Sequence, residues 1–177
     1  MGESKIIYQN RHITLREDRV SDRKGKEHVF AVASVNSGAA VLPMDEEGNV
    51  YLVKQFRYAL GKDSIEIPGG GLDSQEKPLD IAKRELLEEL GIKALQWIHL
   101  GFVNSLTSTV VHREDLFLAR GLEFHTPSPD ETEELTMVKM KFSEAVKLVM
   151  QSHITHGPSC VLILKTNEFL RSRAEIF

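Results

Sequence analysis

The residues able to do chemistry are concentrated between Gly69 and Gly91, in GGGLDSQEKPLDIAKRELLEELG. On a helix, Glu85 and Glu89 stand four residues apart on one face, and Glu88, three after Glu85, lies beside them. Like charges at that spacing cost an isolated helix about 0.2–0.5 kcal/mol per pair. Three carboxylates gathered this way either stay in water or are neutralised by cations. Their oxygens suit hard ions such as Mg²⁺ or Mn²⁺. Arg84 precedes Glu88 by four residues and can hold a carboxylate in place. Three consecutive glycines, Gly69 to Gly71, cannot belong to a helix interior, and their backbone can approach a metal or a phosphate closely.

These residues need a helix after the glycines. Pro78 suits a first helical turn, Leu79, Ala82, Leu86 and Leu90 fall on one face, and Gly91 suits the stop. Around this helix the pattern predicts strands. Candidates are Lys5–Tyr8, then His12–Val20 and His28–Val35 flanking the turn DRKGK. GAAVLPM and NVYLVKQF flank DEEGN, a second hairpin signal. Ser64–Ile67, Leu95–Val103, Asp115–Ala119 and Thr136–Phe142 follow as strands, with helices from Ser143 and from Pro158. This order predicts a mixed α/β or α+β sandwich of sheet and helices.

The 177 residues suffice for one core without disulfides. Hydrophobic residues at 41% and charged residues at 27% argue against disorder. A net charge of −4 without a basic run argues against a nucleic-acid partner. No apolar run reaches the roughly 20 residues of a membrane helix. The N-terminal MGESKIIYQNRH lacks an apolar signal core, and the one cysteine, Cys160, fits a reducing compartment, so the expectation is a cytoplasmic protein. Cys160, within CVLIL, is expected in the core, and the seven histidines on the surface or in packing.

The segment from Gly70 to Ile92 resembles the Nudix hydrolases. Gly70, Glu76, Arg84-Glu85, Leu86, Glu88-Glu89, Gly91 and Ile92 meet every position and spacing of that family's box. The resemblance implies an α/β/α sandwich with a mixed sheet, here with added N-terminal antiparallel strands. It implies Mg²⁺-assisted hydrolysis of a nucleoside diphosphate linked to another moiety. It makes Glu85 and Glu89 the main metal ligands, Glu88 a further or bridging ligand that also stands in the catalytic set, and the Gly69 carbonyl a metal-ligating position. Arg84 and Glu76 become orienting residues.

The preceding VKQFRYALGKDSIEIPGGGL resembles the ADP-sugar pyrophosphatase branch. There the residue matching Arg57 contacts the diphosphate or the sugar side, and Glu66 matches a substrate-site or metal-site glutamate. The resemblance also implies a homodimer built through a β region over residues 1–36, with the Nudix domain over 37–177. The stretch Asn104–Thr109 lacks the proline of ADP-ribose specialists, so GDP-mannose or a broad set of nucleoside diphosphate sugars stays open. The loop PDETEEL resembles one that supplies a catalytic glutamate in this branch, with Glu133 the best match and Glu131 the next. Two alternatives remain: a housecleaning nucleoside triphosphate or RNA-cap pyrophosphohydrolase on the same box, and a non-catalytic nucleotide-binding module.

Overall fold

The computed structural model describes residues 2–71, 76–129 and 134–174, and the chain divides into two compact units. The first comprises the residues up to Ser37 together with Asn104–Glu114. It is a sheet of strands β1 (Glu3–Gln9), β2 (Ile13–Ser21), β3 (Glu27–Val35) and the short β9 (Val110–Val111), in that order. The β2–β3 hairpin closes through Asp22, whose backbone and side chain accept hydrogen bonds from Gly25, Lys24 and Lys26. Several large apolar side chains of this sheet are exposed, among them Ile6, Tyr8, Val29 and Phe30.

The second unit spans Gly38–Val103 and the chain from Asp115 onward. Its strands are β4 (Gly38–Pro43), β5 (Asn49–Arg57), β6 (Lys62–Glu66), β7 (Gly69–Gly71), β8 (Ile92–Asn104), β10 (Arg113–Phe124) and β11 (Thr136–Lys141). They form two sheets, ordered β7-β4-β10-β8 and β11-β5-β6. The helices are α1 (Pro78–Leu90), α2 (Phe142–Met150) and α3 (Gly157–Ala174).

The core follows from strand alternation. Odd and even positions of a strand point to opposite faces, and here both faces are covered. Leu42, Val50, Leu52, Leu116 and Leu118 face Ala145, Ile154, Leu162 and Ile163 of the α2–α3 side. Val41, Tyr51, Val53, Phe117 and Ala119 face Ile81, Ala82, Leu86 and Leu90 of α1. The unit is therefore an α/β/α sandwich, and the whole chain is of the mixed α+β class, as the element order predicts. Among the described residues, no helix is long and apolar enough to cross a membrane.

One sequence expectation is corrected. The segments around DEEGN do turn there, with Gly48 at φ 73° and Asp45 accepting hydrogen bonds from Glu47 and Asn49. They do not go on to pair as a hairpin: β4 joins β7 and β10, whereas β5 joins β6 and β11, and a single bridge, Met44 to Val50, links them. The reason lies beyond the turn. Met44 gives its N–H to the Ala119 carbonyl, which carries the chain after β4 along β10 rather than back along β5. A local turn signal cannot report such competing partners.

Helix α1 forms as its period predicts. Pro78 occupies the first turn, and Gly91 ends the helix in the left-handed region at φ 63°, giving its N–H to the carbonyls of Leu86 and Leu87. The glycine run is ordered as β7 against β4, pairing Gly69 with Ala40 and Gly70 with Ala39. This pairing sets the glycine backbone beside the acidic face of α1.

Candidate active site

The acidic face of α1 is only partly solvated. Glu89 is buried at 7% exposure, and the Glu85 side chain is 14% exposed. The Glu88 side chain, at 44%, reaches water. A Cβ built on Gly70 would collide with the Glu85 carboxylate, so glycine here lets that carboxylate lie against the β7 backbone. Gly69 is equally confined, since its Cβ would lie 2.7 Å from the Ala39 carbonyl oxygen.

Arg84 organises the carboxylates. Its guanidinium lies 2.8 Å from Glu85, 2.9 Å from Glu88 and 3.4 Å from Glu76. Burial works against the Arg84 charge, but Glu85, Glu88 and Glu76 more than offset it, so the group titrates above its ordinary range. Among the described residues, no three Asp, Glu, His or Cys side chains already converge as an ion's ligand set. Arg84 draws Glu88 and one oxygen of Glu85 toward itself. The donor chemistry nevertheless fits a hard divalent ion. Two inward carboxylates one helical turn apart supply anionic oxygens, and the side-chain-free backbone at Gly70 lies directly against one of them.

A second constellation lies along the antiparallel β5–β6 pair, joining Arg57, the last residue of β5, to Glu66, the last of β6. Glu66 is 2% exposed, and Arg57 grips it with both ends of its fork: Nε donates to Oε1 at 3.0 Å and a terminal nitrogen to Oε2 at 2.5 Å. Burial pushes the Glu66 carboxyl up. The Arg57 hydrogen bonds, the charge of His156 and a bond from Ser64 outweigh it and hold the group below the ordinary glutamate value. Sequence reasoning grouped His156 with surface or packing histidines. Its Nδ1 lies 2.8 Å from the Ser159 hydroxyl and 3.6 Å from Glu66. Neither residue announces itself in the sequence, because the partnership spans some ninety positions of chain. Cys160 packs at the edge of the core as expected, donating to the Ile154 carbonyl, and burial raises its thiol. Glu131 and Glu133 lie outside the described residues.

Residues 35–156 match the NUDIX domain. The chain belongs to the Nudix family. Over 94% of its length, this Nudix hydrolase is 32% identical to the ADP-ribose pyrophosphatase of Bacillus subtilis, covering 92% of that protein. It is 26% identical to the methanol dehydrogenase activator of Bacillus methanolicus, over 97% of this chain and 95% of that one. A crystal structure of an ADP compounds hydrolase superposes with a TM-score of 0.84 at 17% identity, covering 97% of this chain and 93% of the other, and so shares its fold. Nudix hydrolases use divalent metal ions, in keeping with the donor set on α1.

The lowered Glu66 carboxyl makes stability depend on pH. Because its folded value lies below its unfolded one, near 4.3, it contributes stability above that pH, and the contribution is lost as pH falls through the folded value. In Arg57→Met, burial is opposed mainly by His156 and Ser64, so the Glu66 titration moves up. The variant is expected to lose most stability at pH 7 and less near pH 4. Urea midpoints at the two pH values check this, and an equal loss at both would refute it.

Proposed function

We propose that this Nudix hydrolase cleaves the diphosphate of nucleoside diphosphate sugars, ADP-ribose or a relative such as GDP-mannose. The products are a nucleoside monophosphate and a sugar phosphate, and the working ion is Mg²⁺, with Mn²⁺ as a substitute. The observation that carries this reading is the inward pair Glu85 and Glu89, set beside a glycine backbone that has no room for a side chain. The similarity to a Bacillus subtilis ADP-ribose pyrophosphatase across nearly the whole chain supports the substrate class. Gln55-Phe56-Arg57 and the N-terminal strands favour sugars over nucleoside triphosphates or RNA caps. The intact box weighs against a non-catalytic module.

In this reading Glu85 and Glu89 hold the ion, with Glu88 and the Gly69 carbonyl as further ligands. When bound, the ion neutralises charge on the diphosphate and eases loss of a proton from water. Arg84 orients the carboxylates through its three ion pairs. Arg57, its plane fixed by Glu66, offers a rigid donor fork to the diphosphate or the sugar side. Water attacking phosphorus must lose a proton, and a carboxylate outside the ligand set can take it. We assign that role to Glu133, with Glu131 as the alternate, both from the dense acidic loop PDETEEL.

The protein works, on this proposal, in the cytoplasm as a homodimer. A second copy is the occupant we assign to the N-terminal sheet, whose Ile6, Tyr8, Val29 and Phe30 are each more than half exposed.

Three measurements test these assignments. Hydrolysis of ADP-ribose should require a divalent ion, and Glu89→Gln should abolish nearly all of it while the circular dichroism spectrum stays native; full activity in excess chelator would sink the metal assignment. Glu133→Gln should lower kcat by about 10²-fold or more with little change in substrate affinity. Near-normal kcat in both Glu133→Gln and Glu131→Gln would place the base elsewhere. Light scattering should give twice the monomer mass, and an active monomer at nanomolar concentration would overturn the dimer.

A further inference from the structure

The Arg57–Glu66 pair is not held by β5 and β6 alone. Ser159, fully buried in the first turn of α3, accepts the Ile67 N–H on its hydroxyl oxygen at 2.9 Å. The same hydroxyl lies 2.8 Å from Nδ1 of His156. One side chain of α3 thus pins both the residue after Glu66 and an imidazole. The His156 carbonyl accepts the Cys160 N–H at 2.9 Å, which fixes the backbone that carries the ring. Nδ1 then stands 3.6 Å from Glu66 Oε2, the oxygen that also receives a terminal nitrogen of Arg57. Oε2 of the carboxylate thus has both a guanidinium and an imidazole beside it. The Arg57 side chain remains 44% exposed, whereas that of Glu66 is 3% exposed, so the pair is anchored at its acidic end and open at its basic end.

We propose that His156, locked by Ser159, is a positioning residue that fixes the Glu66 carboxylate and, through it, the plane in which Arg57 meets its anionic ligand. This rests on the reading of Arg57 as a substrate contact. The chemistry is that of a clamp with two cation-capable groups on one carboxylate. A bidentate arginine–carboxylate pair fixes the guanidinium plane only as firmly as the carboxylate itself is fixed. A carboxylate that meets its arginine alone can rotate with it. One whose oxygen also abuts an imidazole that is itself hydrogen-bonded is restrained. Glu66 is held below the ordinary glutamate value and so stays ionised, as the clamp requires. A donor fork preorganised in this way reduces the ordering cost of binding and should show mainly in substrate affinity.

The test uses the full chain with Mg²⁺ and ADP-ribose, and a second readout with neither. His156→Ala should raise KM about tenfold, the loss of roughly one charge-assisted interaction, and leave kcat within about twofold. In the substrate-free, metal-free protein, the Arg57 Nε–Hε NMR cross-peak, assigned by its disappearance in Arg57→Lys, should shift or broaden in His156→Ala. His156→Asn, whose amide reaches the Nδ1 position, should return both KM and the cross-peak; His156→Gln, whose amide sits at the Nε2 position, should not. Should His156→Ala fail to fold, the Asn and Gln pair decides. An unmoved cross-peak in His156→Ala overturns the proposal, because a raised KM would then mean that His156 meets the substrate itself. Equal behaviour of Asn and Gln overturns it as well. If the wild-type protein hydrolyses no nucleoside diphosphate sugar, the functional reading falls, and the cross-peak alone decides the role of His156.

Discussion

The constraint on which the acidic site depends is the absence of side chains at Gly69 and Gly70. Strand β7 can pair with β4 and still admit the Glu85 carboxylate of α1 only because no Cβ stands between them. Any other residue in place of Gly70 would turn the Glu85 carboxylate aside. A side chain at Gly69 would meet the backbone of Ala39 and Ala40 and push β7 off β4. The helix itself is seated by the face that Ile81, Ala82, Leu86 and Leu90 form with the strand residues Val41, Val53 and Phe117. The helix buries its leucines because it lies close, and lying close carries Glu85 and Glu89 inward.

Bringing two carboxylates out of water is unfavourable unless charge or hydrogen bonds compensate. Arg84 supplies compensating charge for Glu85. It reaches Glu85, Glu88 and Glu76 at once, so a single cation spans the helix and the segment leading into it. An exposed pair at helical spacing contributes about 0.5 kcal/mol or less. The significance of Arg84 is geometric: it fixes which oxygens turn inward. A cation entering beside Glu85 and Glu89 would meet a face whose repulsion is already partly relieved.

Helix α1 was legible in the sequence because its information is local. A 3.6-residue period, a proline at the start and a glycine at the stop all lie within fourteen positions, Pro78 to Gly91. The sandwich was legible for a related reason, since the alternating apolar residues of β4 and β5 need cover on both faces. The pairing of those strands was not. The turn at DEEGN has hairpin chemistry, but Met44 bonds to Ala119, and a partner so far along the chain leaves no local mark. The acidic face and the box arginine could be read from spacing. The Ser159–His156–Glu66 chain could not, because a serine in a first helical turn is ordinarily explained by the helix itself.

The two charged constellations solve the same problem in opposite ways. At α1 an arginine bridges several carboxylates that retain some access to water, which would suit a face that takes up and releases a divalent ion. At β6 one carboxylate is sealed in and its arginine left reaching outward, which suits a fixed donor. Replacing a buried ion pair with apolar residues is often neutral or stabilising, so stability alone does not account for Glu66. Its retention makes sense if the position of Arg57 matters more than the energy of the pair. A guanidinium on a strand end would otherwise sample many rotamers, and each would present its donors in a different plane. Burying the acidic partner between α3 and the end of β6 transfers the rigidity of the core to a side chain that itself stays in solvent.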